Sequence, residues 1–168
     1  CTANQKIMNL DFIDRFYVQP ASNDEGVAIG ATYVIGRNHG LQIKPMNTIY
    51  LGPEFTNDEI KKFLDILNIK HRFEENPALY AANKISENKV IGWFQGKMEV
   101  GPRALGNRSI LANAANPSMR DIVNQKIKFR DTFRPFCPSV LEEESKNYFI
   151  GKQDIAPYMT INYDVKPS

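Results

Sequence analysis

The sequence predicts a mixed fold of helices and strands, and three observations point to that class. The chain has 168 residues, 42% of them hydrophobic, which suits one globular domain or one domain with part of another. Short apolar runs with strand composition are interspersed with segments that carry helix caps and helical periodicity. Because the two kinds of segment do not alternate strictly, the predicted class is α/β or α+β.

The first predicted element is a helix near the N-terminal end. Small and apolar residues recur over residues 26–35, which is typical of a tightly packed helix. Residues 37–46 include Gly40 and Pro45 and show little periodicity, so they are interpreted as a linker. A short strand is expected after this linker, at about residues 47–51.

Two capped helices are predicted next. Thr56 can cap the first, and Glu59 three residues later completes a capping box. The apolar residues that follow at helical spacing are Ile60, Phe63, Leu64 and Leu67. The second helix is expected to begin with Asn76 as its cap and Pro77 in its first turn, and to end near Glu87.

The remaining elements are three strands, two helices and a last strand. Residues 89–94 and 109–114 are apolar and predict buried strands, and Asn116 with Pro117 starts another helix. The apolar stripe predicted for that helix consists of Met119, Ile122, Val123 and Ile127, with Arg120, Asn124 and Lys128 facing elsewhere. A strand at residues 134–141, a short helix at 142–149 and a strand at 156–165 are expected to follow.

Composition excludes several classes of protein and site. The net charge of +2 is too balanced to indicate nucleic acid or a membrane surface, and no apolar run approaches the ~20 residues that span a bilayer. Cys1 and Cys137 lie far apart without a CxxC pattern, so neither a zinc site nor a disulfide framework is indicated. We expect a protein of the reducing cytoplasm, with Cys137 as a small buried residue. His39 and His71 are isolated and predict no metal site.

Positive charge is concentrated in one region of the sequence. Between residues 103 and 134 two acidic residues oppose seven basic ones, which are Arg103, Arg108, Arg120, Lys126, Lys128, Arg130 and Arg134. Several of them lie beside loops that enter predicted buried strands, where a cation without an anionic partner is costly. The glycines at 96, 101 and 106 allow backbone N–H groups to approach an anion, and Ser109 adds a hydroxyl. The sequence therefore predicts a phosphate-like ligand, although it has no Walker A loop.

Two other interpretations of this region stay open. Arg and Lys commonly form a solvated face, and Arg120 and Lys126 are the residues that fit this description best. Trp93, Phe94 and Phe129 are aromatic residues close to the basic ones, as in proteins that stack the bases of single-stranded nucleic acid. Aromatic residues at strand positions are more commonly part of a core.

Three blocks of sequence resemble the O-carbamoyltransferase family. "FQGKMEVGPRALGNRSILAN" and "FRPFCPSVL" closely resemble its signature, and "FIDRFYVQPASNDEGVAIGAT" is similar to the end of its N-terminal domain. The family includes the carbamoyltransferases of nodulation factors and of antibiotics. The resemblance implies three parts. Residues 1–36 would be a remnant of an actin/hexokinase-like transfer domain, 37–46 a linker, and 47–168 a YrdC-like twisted sheet with flanking helices, incomplete at its C-terminal side.

The resemblance also implies a reaction. The YrdC-like site of the family takes carbamoyl phosphate and ATP, with Mg²⁺, and makes carbamoyl adenylate. The transfer domain then uses Fe²⁺ or another divalent metal to pass the carbamoyl group to an acceptor hydroxyl, such as that of a sugar. Asp24 corresponds to a metal ligand of that domain, but the two histidines that accompany it in the family have no counterpart here.

The site residues are carried over from the matching blocks. Lys97, Arg103 and Arg108 are implied to be catalytic, and Glu99 is implied to orient an Arg or to help hold Mg²⁺. The residues implied to bind phosphate or nucleotide are Gln95, Ser109, Lys128, Arg130 and Arg134.

The expected partners are carbamoyl phosphate, ATP and an acceptor hydroxyl compound, without a membrane. The chain is expected to be a portion of a longer protein that cannot complete the transfer by itself, and an open sheet edge favours a homodimer. The competing hypotheses are an RNA-binding module and a sensor of anions without catalysis.

Overall fold

The computed structural model describes residues 1–152 and 156–167. Its α-helices are α1 (Thr2–Met8), α2 (Asp24–Asn38), α3 (Asn57–Ile66), α4 (Pro77–Ser86), α5 (Met119–Val123) and α6 (Ser145–Tyr148). Its strands are β1 (Ile91–Phe94), β2 (Arg108–Leu111), β3 (Phe149–Ile150) and β4 (Asp164–Val165). A π-helical turn covers Asn124–Lys128, and a 3₁₀ turn covers Glu142–Glu144. The predicted mixed α/β class is confirmed, with small antiparallel sheets β1–β2 and β3–β4.

The chain forms two compact units. The first comprises Cys1–Leu51, Glu99–Leu105 and Ser139–Ser168, and the second comprises Gly52–Met98 and Gly106–Pro138. Residues 94–113, the first signature block, therefore contribute to both units. The division into residues 1–36, 37–46 and 47–168 stays a prediction. Among the described residues, no helix combines the length and the apolar character that crossing a bilayer requires.

The first unit has a small apolar core, formed by Met8, Ala21 and Ile49, each at most 3% exposed. Helix α2 confirms the predicted helix, but the expectation that it is tightly packed is wrong. Val27 and Val34 are 68% and 61% exposed. Apolar residues are spread around this helix, and packing against one side covers only one stripe of them.

The second unit contains the helix starts that the sequence predicted. The Thr56 side chain accepts the Glu59 N–H at 3.3 Å while the Glu59 carboxylate accepts the Thr56 N–H at 2.8 Å, so the capping box is complete. Asn76 accepts the Leu79 N–H at 3.1 Å, and Pro77 occupies the first position of α4. Strands β1 and β2 confirm the predicted strands at residues 89–94 and 109–114, with slightly different ends.

The helix predicted after Asn116 and Pro117 differs from the observed one. Only α5 is α-helical, and the π-helical turn that follows adds a residue to the helical repeat. This extra residue rotates the buried face. Asn124 is therefore fully buried rather than facing elsewhere, and Ile127 is 43% exposed rather than part of the apolar stripe.

Three predicted strands are wrong in whole or in part. Residues 47–51 contain a single antiparallel bridge, Tyr50 to Glu99, and residues 134–141 form no strand. In the region 156–165, β4 is the whole of the strand structure. β-Propensity yields a strand only where a partner pairs with it, and Pro135 and Pro138 lack the N–H that pairing needs. Cys137 is accordingly exposed rather than buried, whereas the predicted short helix at 142–149 is confirmed by the 3₁₀ turn and α6.

Candidate functional site

The loop that leaves β1 is closed by side-chain amides in the second unit. The Gln95 N–H donates to the Asn107 carbonyl at 2.9 Å, and the Gln95 side-chain amide donates to the Gly106 carbonyl at 3.2 Å. The Asn107 side chain donates to the Lys97 carbonyl at 2.7 Å. Gly96 has a φ of +52°, a conformation that favours glycine at this turn. The loop is thus fixed from within, and the side chain of Lys97 remains exposed.

Arg108 and Ser109 are placed by the pairing of β2 with β1. Arg108 lies opposite Phe94, and Ser109 lies opposite Trp93. Residues directly opposite in an antiparallel pair share a face of the sheet, so the half-buried Arg108 lies on the face of Phe94. The Ser109 hydroxyl accepts the Gly106 N–H at 3.2 Å. Strand pairing thereby places Arg108 and Phe94 on one face of the sheet, and the serine hydroxyl helps to shape the loop.

Arg103 belongs to a loop of the first unit that is anchored at both ends. Glu99 is 3% exposed, and its Oε1 accepts the Leu105 N–H at 2.7 Å. The Tyr50 hydroxyl donates to the Leu105 carbonyl at 3.0 Å, and a Cβ added to Gly101 would lie 3.1 Å from that of Ala21. Arg103 lies between these anchors and is exposed. Within residues 1–152 and 156–167, no carboxylate lies within 4.0 Å of its guanidinium.

The second signature block is organised around Asn124 in the second unit. The Arg130 Nε donates to the Asn124 Oδ1 at 2.7 Å, and the Arg130 guanidinium lies 4.9 Å from the centre of the Phe136 ring. Arg134 forms an exposed ion pair, with its Nε 3.7 Å from the Asp131 Oδ2. Lys128 is exposed, and in the described part of the chain it forms no ion pair.

The structure thus places the predicted residues in three groups. In the second unit, Gln95, Lys97, Arg108 and Ser109 lie on the β1–β2 hairpin, and Lys128, Arg130 and Arg134 lie on the turn after α5. The third group, Arg103 and Glu99, lies in the first unit, as does Asp24. Within each group, the hydrogen bonds described above fix the backbone that carries these side chains. The structure does not test the roles assigned to these residues, which stay predictions.

The predicted shortage of carboxylates holds for part of the basic region. Arg120 pairs with Asp121 at 2.8 Å, and Arg134 pairs with Asp131. Lys97, Arg103 and Lys128 have no such partner among the residues that the structure describes. Neighbouring acids thus match Arg120 and Arg134, whereas the exposed charges of Lys97, Arg103 and Lys128 face solvent and are open to an external anion.

Asp24 and Glu99, which the resemblance links to metal ions, form no complete metal site with other described residues. In ranges 1–152 and 156–167, no group of three or more His, Cys, Asp or Glu side chains is arranged to hold a metal. Asp24 is exposed in the first turn of α2, and Glu99 is buried with one oxygen on a backbone N–H. We therefore assign no step to Fe²⁺ or to a protein-bound Mg²⁺.

Sequence reasoning missed three residues that shape these groups: Tyr50, Asn107 and Asn124. Asn124 was assigned to the wrong face because helical periodicity does not anticipate a π-helical turn. Asn107 and Tyr50 act through hydrogen bonds to distant backbone carbonyls, which no local pattern reveals. The glycine beside Asn107 was the only local signal of an unusual turn there.

Comparison with known proteins places the chain in a family. The family model described as "Carbamoyltransferase C-terminus" matches residues 82–168. The chain is 40% identical to an uncharacterized protein of Synechocystis sp., over 99% of the chain and 28% of that protein. It is 36% identical to nodulation protein NolO of Bradyrhizobium diazoefficiens, over 89% of the chain and 28% of that protein.

A further relative also matches almost the whole chain over only part of its own length. Nodulation protein U of Rhizobium tropici is 34% identical, over 98% of the chain and 27% of that protein. The chain spans little more than a quarter of the length of these curated relatives. The family match covers more than half of the chain and includes both basic signature blocks. The chain therefore belongs to the carbamoyltransferase family, through the family's C-terminal region.

Proposed function

We propose that the protein supplies the phosphate- and nucleotide-binding groups of a carbamoyltransferase. Such an enzyme would take carbamoyl phosphate and ATP, form carbamoyl adenylate, and pass the carbamoyl group to an acceptor hydroxyl. The observation that carries this proposal is the set of cations without internal acids on loops that are held by their own hydrogen bonds. Lys97 and Arg103 are the clearest examples.

The proposed reaction places negative charge on leaving phosphate oxygens. Water releases inorganic phosphate from carbamoyl phosphate and leaves carbamate. A carbamate oxygen then bonds to the α-phosphorus of ATP while the bond from that phosphorus to the bridging oxygen breaks, and pyrophosphate departs. Guanidinium and ammonium groups that are already positioned stabilise this charge with little reorganisation. Arg103, Arg108 and Lys97 are assigned this role, and Mg²⁺ would arrive with the ATP phosphates.

The remaining predicted residues would bind the substrates. Arg130 can present its terminal nitrogens to phosphate oxygens, and Lys128 and Arg134 add positive charge next to it in sequence. Gln95 has its side-chain N–H engaged within the loop, which leaves its amide oxygen as the group to meet a carbamoyl N–H. Ser109 has the smaller task of shaping the loop, since its oxygen accepts the Gly106 N–H.

The proposal also covers the acceptor substrate, the cellular compartment and the oligomeric state. The acceptor is proposed to be a sugar-like hydroxyl compound, as the resemblance to the carbamoyltransferase family implies. The described cysteines are free thiols, which supports a reducing cytoplasm, where ATP is also present. A homodimer stays a prediction, as does the transfer step with its divalent metal.

Calorimetric titration of carbamoyl phosphate and of ATP into the protein tests the proposal. We expect saturable binding with 1:1 stoichiometry, weakened about tenfold or more by Arg103→Ala and by Arg108→Ala, because each removes a charge-assisted contact. Arg120→Ala is the matched control, since it removes a cation of the same region that Asp121 already neutralises. Binding that both test variants leave unchanged would contradict the assigned site.

RNA binding is the second candidate function, and exposed aromatic residues favour it. Phe129 and Phe133 are 83% and 76% exposed, and Arg130 lies between them in sequence. A protein that contacts many phosphates of RNA would lose affinity steeply as the salt concentration rises. Titration of a single-stranded oligonucleotide at two salt concentrations separates this function from a pocket for a small anion.

A further inference from the structure

Asn124 is a buried polar residue whose groups are all engaged within the second unit. It is fully buried, and its side-chain Nδ2 donates to the Arg134 carbonyl at 2.9 Å and to the Thr132 carbonyl at 3.3 Å. Its Oδ1 accepts the Arg130 Nε at 2.7 Å, and its backbone carbonyl accepts the Arg130 N–H at 3.1 Å. A single side chain therefore determines both the path of residues 130–134 and the direction of one guanidinium.

The contacts of Arg130 leave one edge of its guanidinium for a ligand. The Nε is occupied by Asn124, and the planar group lies 4.9 Å from the centre of the Phe136 ring. Among the described residues, neither terminal nitrogen of Arg130 has a hydrogen-bond partner. These two nitrogens form the fork that binds two oxygens of one phosphate.

The choice of an amide at position 124 has an electrostatic consequence. A carboxylate there would accept the same Nε–H but would neutralise the positive charge of Arg130 inside the protein. It would also lose the two hydrogen bonds that Nδ2 donates, because an ionised carboxylate is only an acceptor. The neutral amide orients the guanidinium and leaves its charge for an external anion.

The backbone that precedes Arg130 adopts an unfavourable conformation, which the surrounding contacts must maintain. The π-helical turn Asn124–Lys128 ends at Phe129, which has a φ of +49°, a rare conformation for a bulky residue. Strained residues and π-helical turns occur preferentially at functional sites, where surrounding contacts maintain them. The hydrogen bond from the Arg130 N–H to the Asn124 carbonyl closes this turn.

We infer that Asn124 is a positioning residue that holds Arg130 with its two terminal nitrogens directed at a phosphate group of the substrate. The inference rests on the proposed function only for the identity of the substrate. The contacts of Asn124 and Arg130 by themselves point to an anion that carries a phosphate group. Asn124 does not touch the ligand in this scheme and acts through Arg130.

A double-mutant cycle on anion binding tests the inference. The probes are inorganic pyrophosphate, carbamoyl phosphate and ATP, titrated calorimetrically into the protein and into Asn124→Asp, Arg130→Ala and the double variant. We expect Asn124→Asp to weaken pyrophosphate binding about tenfold or more, and to have no further effect once Arg130 is alanine. Asn83→Asp is the control, because it makes the same chemical change on the exposed surface of α4.

A second variant covers the case in which Asn124→Asp does not fold. Arg130→Lys keeps the positive charge but has neither an Nε–H for Asn124 nor a planar fork. We expect it to bind pyrophosphate as weakly as Arg130→Ala does. Affinity like that of the unaltered protein would overturn the inference.

The outcomes separate this inference from the proposed function. Additive effects of the two substitutions would overturn the inference, since Asn124 would then act on binding independently of Arg130. Absence of pyrophosphate binding in the unaltered protein would overturn it as well. A coupled cycle for pyrophosphate without binding of carbamoyl phosphate would support the inference and refute the proposed function. If carbamoyl phosphate binds and the effects of the two substitutions are additive, the result would support the proposed function and overturn the inference.

Discussion

The buried carboxylate of Glu99 accepts the backbone N–H of Leu105 at 2.7 Å and thereby closes the loop that carries Arg103. Five residues separate the two partners, so the hydrogen bond restricts a short segment whose middle is exposed. An exposed Arg with no described acid near it is useful for binding only if its backbone is held in place. Glu99 provides that restraint.

Removal of this restraint should destabilise the first unit. Glu99→Ala leaves the Leu105 N–H without its acceptor, and we expect the free energy of unfolding to fall by about 1–3 kcal/mol. Urea denaturation followed by circular dichroism measures the change. Glu143→Ala, at an exposed position of the same unit, serves as the control and should change stability by less than about 0.5 kcal/mol. Equal effects of the two substitutions would show that the loop is not held by Glu99.

Two glycines of α2 should respond in opposite directions to alanine. A Cβ at Gly26 would lie 2.0 Å from the backbone oxygen of Ala21, so Gly26→Ala forces the backbone to shift and should cost about 1–3 kcal/mol. No atom lies within 4 Å of a Cβ added to Gly30. Gly30→Ala should therefore stabilise the helix by about 0.5–1 kcal/mol, because alanine loses less backbone freedom on folding. Thermal unfolding of both variants checks the prediction, which fails if their effects have the same sign.

The capping box of α3 should make stability depend on pH. The Thr56 N–H and hydroxyl both donate to the Glu59 carboxylate, and these bonds lower the pKa of Glu59 from its ordinary value. Its charged form therefore stabilises the folded state above the ordinary glutamate pKa of about 4.3, and that contribution is lost as the pH falls through the lowered value.

Comparison with Glu59→Gln isolates this effect, because glutamine keeps a neutral acceptor at the cap. We expect the unaltered protein to be the more stable of the two at pH 7 and the difference to shrink below about pH 4. Urea midpoints across this range provide the measurement. A difference that stays constant with pH would mean that the charge of Glu59 contributes nothing.

Replacement of Phe129 by glycine should relieve backbone strain and stabilise the protein. Phe129 has a left-handed φ of +49° and is 83% exposed, so Phe129→Gly removes strain and loses little burial. We expect a gain of about 1 kcal/mol in the free energy of unfolding. Phe133→Gly is the control: it is also exposed but lacks the left-handed conformation, and it should be neutral or destabilising. Loss of stability in Phe129→Gly would show that the ring makes contacts that outweigh the strain.

Local sequence rules predicted the helix starts and the strands β1 and β2 well. Thr56 with Glu59, and Asn76 with Pro77, satisfy N–H groups within four residues, so their effect is visible in the sequence and confirmed in the structure. The strand expected at residues 134–141 failed for the complementary reason. Apolar composition favours a strand, but no neighbouring strand pairs with this segment in the described chain.

The sequence by itself determined the mixed class, the helix caps, the excess of basic residues and, through long motifs, the family. Only the tertiary structure decided which of those cations are neutralised by neighbours and which have no acidic partner among the described residues. Asp121 and Asp131 reach Arg120 and Arg134, whereas Asn124 reaches Arg130 with a neutral oxygen. Charge composition is a property of the chain, but charge compensation depends on distances of a few ångströms, which folding alone establishes.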